Sequence, residues 1–82
     1  MTAEVARLRW LCRRGMKELD VVLTRYLEHQ YSSASPPQKL AFQRLLEMQD
    51  PTVFGLLLGR EQIHDVEINA LLDVLSEGVR TH

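Results

Sequence analysis

Apolar positions along the chain recur every three to four residues, and this period divides it into short helices. Val5, Leu8, Leu11 and Cys12 predict a first helix with its arginines on the outer side. Gly15 ends or bends that helix, because a residue without Cβ accepts a positive φ or the close approach of another backbone. From Met16 onward, Met16, Leu19, Leu23, Tyr26 and Leu27 form one buried stripe on a second, longer helix. Tyr31 to Ser35 is small and polar and reads as a linker. Ser35-Pro36-Pro37-Gln38 then matches a capping box with proline at the first helical position. The helix it opens carries Leu40, Ala41, Leu45, Leu46 and Met48 on its apolar face. Asp50-Pro51 predicts a further start, with Asp50 as N-cap, for a short helix bearing Val53, Phe54, Leu57 and Leu58 and stopped by Gly59. Asp65 is placed to cap a last helix with Ile68, Leu71, Leu72, Leu75 and Val79 on one stripe, fraying from Gly78. No segment alternates in the manner of a strand. The expected fold is therefore all-α, a small bundle of five short helices in one domain over residues 1–82, with Leu19, Leu23, Leu45, Leu71 and Leu75 in its core.

Composition narrows the function. At 82 residues the chain can bury only a thin core, which leaves room for a binding face and little for a deep cleft. It is 45% hydrophobic and 26% charged, as in ordinary globular proteins, and no run approaches the roughly 18 apolar residues of a membrane span. A lone Cys12 forms no internal disulfide, and the N-terminus has neither a signal-type apolar core nor a transit-type composition, so a cytoplasmic location is expected. The net charge of −1 hides a segregation: Arg7, Arg9, Arg13, Arg14 and Lys17 stand against Glu4 in the first 17 residues, and the acidic excess lies beyond them.

The residues offer little for catalysis. Cys12 beside two arginines invites a thiolate reading, yet it falls on the apolar side of the first helix with no histidine near it in sequence to act as base. His29, His64 and His82 lack ligand spacing, so no metal site is expected. A basic cluster around Trp10 suits either phosphates or an acidic protein surface, and the acidic remainder of the chain disfavours nucleic acid. Arg14-Gly15-x-x-Glu18 has two physical readings. One is a recognition edge, with Gly15 admitting a partner's backbone between opposite charges; the other is an ion pair between residues four apart on a helix, joined by a structural glycine.

Residues 7–28, with Arg7, Trp10, Arg13, Arg14, Gly15, Met16, Glu18, Leu19 and Asp20, closely resemble the signature of the SdhE family, small flavinylation factors of succinate dehydrogenase that carry an RGxxE motif. The resemblance continues through Phe42-Gln43-Arg44-Leu45-Leu46-Glu47 and Asp50-Pro51 to Phe54. One departure stands out, since family members commonly carry a tryptophan in the short helix after Asp-Pro, where this chain reads Phe54-Gly55-Leu56-Leu57. The resemblance implies a five-helix monomer that binds the flavoprotein subunit of succinate dehydrogenase, and of fumarate reductase, and promotes covalent attachment of FAD to it; the N-terminal composition, without a transit-type sequence, points to a bacterial member. Such a factor is not itself an enzyme and holds no cofactor tightly. Arg14, Gly15 and Glu18 become its main contact residues, flanked by Arg7, Trp10, Arg13, Met16 and Asp20. The competing readings are a regulatory, antitoxin-like interaction module and a small nucleic-acid binder.

Overall fold

The structure, a computed structural model, describes residues 3–80 and, from Ala3 to Glu77, their side chains. Among the described residues five α-helices follow one another: α1 (Ala3–Leu11), α2 (Lys17–His29), α3 (Pro36–Leu46), α4 (Asp50–Leu57) and α5 (Val66–Arg80), with a single 3₁₀ turn at Tyr31–Ser33 between α2 and α3. This is the expected all-α bundle. α5 is its central support, packing against α2, α3 and α4, while α1 lies across α2 and α3.

The apolar stripes account for this arrangement. Leu8 and Cys12 come from the α1 segment, Leu19, Val22, Leu23, Tyr26 and Leu27 from α2, and Ile68, Leu71, Leu72 and Leu75 from α5, all buried in one cluster. Phe42 is the largest fully buried side chain, and its ring sits 4.7 Å from that of Tyr26 and 5.6 Å from that of Tyr31 between centroids. Burial of such side chains is worth about 1.5–3 kcal/mol each and drives the helices together.

Helix ends follow local chemistry where a local cap exists. Ser35 Oγ accepts the Gln38 N–H at 3.4 Å and Asp65 Oδ1 accepts the Ile68 N–H at 3.0 Å, so α3 and α5 start where their caps place them. Gly59 ends α4 in the left-handed region at φ 76°, with Gly59 N–H on Leu56 O at 3.2 Å and Arg60 N–H on Gly55 O at 2.8 Å. That pair of bonds is the Schellman arrangement that satisfies the last carbonyls of a helix.

Six local expectations are corrected. Tyr31 is not linker: the 3₁₀ turn carries it into the core, where its hydroxyl donates to Glu4 at 2.9 Å and accepts from Gln43 at 3.0 Å. Leu40 faces solvent at 58% exposure, because α3 buries Ala41, Phe42, Leu45 and Leu46 and so turns the preceding position outward. The capping box at Ser35 is only half formed, since the Gln38 side chain donates to Glu67 at 3.0 Å rather than back to the cap. In α4, Leu56 is buried and Leu58 exposed, and Glu61 folds over Gly55 so closely that a Cβ there would meet its Oε2 at 2.5 Å. Asp50 is the first residue of α4 rather than its cap; Gln49 holds the cap position without a side-chain bond, and the Asp50 carboxylate is used elsewhere. α5 continues as helix through Gly78 to Arg80, and the side chain of Val79 lies outside the described residues.

Candidate functional site

The basic segment and the turn after it occupy one edge of the bundle. On α1, Arg7 and Trp10 are three residues apart and both exposed, and Trp10 is 67% exposed, the most open aromatic side chain among the described residues. Arg13, also exposed, lays its guanidinium over the Trp10 ring at 5.5 Å from the centroid, a cation–π contact between two surface side chains. Arg9 is turned the other way and bonds Glu28 of α2 at 2.7 Å.

Between the helices, residues 12–16 form a turn in which Cys12 N–H and Arg13 N–H bond back to α1 while the amides of Gly15 and Met16 are served from the other half of the chain. Gly15 N–H and Met16 N–H both donate to Asp50 Oδ2, at 3.1 and 3.3 Å. Arg14 reaches inward with only 11% of its side chain exposed, and donates from Nη1 to Met48 O at 2.9 Å and to Asp50 Oδ1 at 3.2 Å, and from Nη2 to Leu46 O. Two helix ends are thus capped across the molecule. A carboxylate near the start of α2 and a guanidinium at the end of α3 each complement the partial charge of a helix terminus, and each satisfies backbone groups the helices leave open.

This geometry removes one of the two local readings of Arg14 and Glu18. Arg14 pairs with Asp50, and Glu18 is exposed without an ion-pair partner among the described residues, so the helical ion pair between residues 14 and 18 does not form. Met16 is the N-cap residue of α2 and rests half-buried on the core, and Asp20 accepts a hydrogen bond from Thr24 Oγ1 at 3.4 Å. Gly15 is exposed, its φ is not positive, and a Cβ built on it would meet Asp50 Oδ2 at an ordinary contact distance of 3.6 Å. Its backbone conformation therefore does not require glycine, contrary to one of the two uses expected of it.

Of the sequence-derived residues, Arg7, Trp10, Arg13, Gly15 and Glu18 stand at the surface, whereas Arg14, Met16 and Asp20 are partly withdrawn. Asp50 is the residue whose place at this junction sequence reasoning missed. Its local signal, an Asp before Pro, points to a cap, and the family resemblance includes it without a role.

Cys12 is fully buried, and burial pushes its thiol up to about 11 despite the lowering influence of Arg14. A protonated thiol in a packed site is a poor nucleophile. Among the described residues no group of three or more His, Cys, Asp and Glu side chains is placed to hold a metal ion, and no helix is long and apolar enough to cross a membrane.

A profile of the family described as the flavinator of succinate dehydrogenase matches residues 6–79. Over 75 residues, 92% of this chain and 82% of the relative, the sequence is 40% identical to the FAD assembly factor SdhE of Colwellia psychrerythraea. It is 44% identical over 64 residues to that of Shewanella oneidensis, covering 78% of each chain. The solution structure of a UPF0350 protein shares the fold with a TM-score of 0.79 and 34% identity, over 99% of this chain and 87% of that one. Because the family match runs from within α1 to the end of α5 and takes in the whole of the Arg14–Asp50 junction, the chain belongs to the family of succinate dehydrogenase flavinators, the SdhE family.

Proposed function

We propose that this chain is an assembly factor that docks, as a monomer, on the flavoprotein subunit of succinate dehydrogenase in the cytoplasm and promotes covalent attachment of FAD there. The flavoprotein of fumarate reductase is a second client in the same reading. The observation that carries the proposal is Gly15, exposed on a turn with room for a Cβ and with no need of left-handed backbone. Neither local conformation nor internal packing asks for glycine at that point, whereas a partner backbone lying against the turn does. Around it stand an exposed indole and three charges without internal ion pairs among the described residues, Arg7, Arg13 and Glu18, the kinds of group that anchor protein interfaces.

The factor contributes orientation rather than acid–base chemistry. By binding one conformation of the flavoprotein more tightly than others, it raises the population in which the flavin and the accepting side chain are aligned, and the reacting groups belong to the partner. It binds no FAD tightly and no nucleic acid in this reading.

Gly15→Arg tests the proposal. Gly15 is exposed and a Cβ there makes only an ordinary 3.6 Å contact with Asp50 Oδ2, so helicity and melting temperature should stay near wild type, while binding to the flavoprotein and the covalent flavin fluorescence of that subunit in a denaturing gel should both collapse. A well-folded Gly15→Arg variant that binds and flavinylates normally refutes the docking edge. Normal flavinylation together with loss of a different acidic partner favours the interaction-module reading instead.

A further inference from the structure

The part of the turn that carries Gly15 has no local acceptor for its amides. Residues 12–16 lie between two helices, Met16 offers no side-chain cap to α2, and the amides of Gly15 and Met16 are satisfied by a carboxylate from the other half of the chain. Asp50 is free to do this because Gln49 takes the cap position of α4. With one oxygen on two successive amides and the other on Arg14, Asp50 fixes both the path of the turn and the side from which Glu18, three residues on, leaves the start of α2.

We propose that Asp50 is a positioning residue for docking: its carboxylate preorganises the Gly15–Glu18 edge, so that the partner meets a turn already in its bound shape. This deepens the function proposed above and rests on it. The side chain is only 21% exposed and both its oxygens are engaged, one by Arg14 and the other by the amides of residues 15 and 16, so it acts through that backbone. When the conformation of a binding loop is not fixed beforehand, its ordering is charged against affinity at the moment of association.

The test uses Asp50→Asn and Asp50→Ala in the full chain, with Glu18→Ala and Gly15→Arg alongside, and binding to the purified flavoprotein subunit measured well below each melting temperature. Asp50→Ala should weaken binding roughly tenfold or more, the scale of losing a preorganised contact edge. Asp50→Asn, which keeps one oxygen for the two amides, should retain part of that loss-free affinity. In both variants the amide resonances of Gly15 and Met16 should shift while those of α5 stay in place.

A double-mutant cycle separates positioning from mere stability. If Asp50 acts through the edge that presents Glu18, Asp50→Asn and Glu18→Ala should be non-additive in affinity, whereas a purely structural Asp50 gives additive losses that vanish on cooling. Additive losses, or wild-type affinity in folded Asp50→Asn and Asp50→Ala, overturn the inference. Should Asp50→Ala not fold, Asp50→Asn and the cycle still decide. Wild-type binding by Gly15→Arg overturns the docking edge itself, so the two failures are told apart.

Discussion

Replacing Arg14 by alanine separates the tie seen here from the helical ion pair that the sequence spacing suggests. The side chain is 11% exposed and donates to two backbone carbonyls at the end of α3 and to the carboxylate of Asp50. Truncation leaves those acceptors short of a partner in a partly closed site. Hydrogen bonds to charged groups are worth about 1.5–3 kcal/mol each, but the Asp50 carboxylate keeps its two amides and some access to water. The Nε–H of Arg14, buried without a partner, also holds the net gain below the sum of its bonds. A loss of about 2–4 kcal/mol follows. A chain of this length has about 4–12 kcal/mol of stability, and at 4–8 °C per kcal/mol the melting temperature should fall by roughly 8–30 °C. Thermal unfolding followed by circular dichroism measures this directly, with urea titration as the second probe. Glu18→Ala is the control: an exposed residue without an ion pair should move stability by less than about 0.5 kcal/mol. If Arg14→Ala melts within a degree or two of Glu18→Ala, the inward tie contributes nothing and the reasoning fails.

The buried thiol and the core supply two more expectations. With its folded-state pKa raised to about 11 from 9.0 by burial, Cys12 favours the native state fully below pH 9. The unfolded chain gives up that proton first as pH rises, so about 2–3 kcal/mol should be lost between pH 9 and 11. Urea titrations across that range should show a steeper alkaline loss in the wild type than in Cys12→Ala, and equal slopes would remove the thiol as the cause. Leu23, fully buried on the α2 stripe, should cost about 2–5 kcal/mol when cut to alanine, and an unchanged urea midpoint would take it out of the core.

What was legible in the sequence was whatever is decided within about one helical turn. Ser35 and Asp65 cap the helices they precede, Gly59 ends the helix it follows, and the stripes of α2 and α5 point where their spacing puts them. The errors share one origin, contacts between residues far apart in the chain. Tyr31 looks like linker because its neighbours are serines, and only the fold brings Glu4 and Gln43 to its hydroxyl. Spacing alone puts Leu40 on the apolar face of α3 and leaves Phe42 off it, and the side of α3 that meets α5 reverses the two. Asp50 carried a local cap signal and Arg14 a local ion-pair signal, yet each finds a better partner in the other. For the candidate site, the residue types at the surface could be read from the chain, but the device that holds them could not.

That device also bears on when the molecule becomes complete. Arg14 and Asp50 are 36 positions apart, with α2 and α3 between them, so the tie closes a loop of nearly half the chain. The entropy of such a closure is recovered only once the intervening helices have packed, which places the tie on the native side of the folding barrier. An interaction made after the barrier leaves the refolding rate alone and slows unfolding. In a chevron experiment Arg14→Ala should therefore raise the unfolding arm and leave the folding arm where it was; an equally slowed folding arm would put the tie in the nucleus. The helices can thus assemble quickly, and the last contact made sets how long the Gly15 turn persists, which under the proposed docking function is the lifetime of the surface a partner would meet.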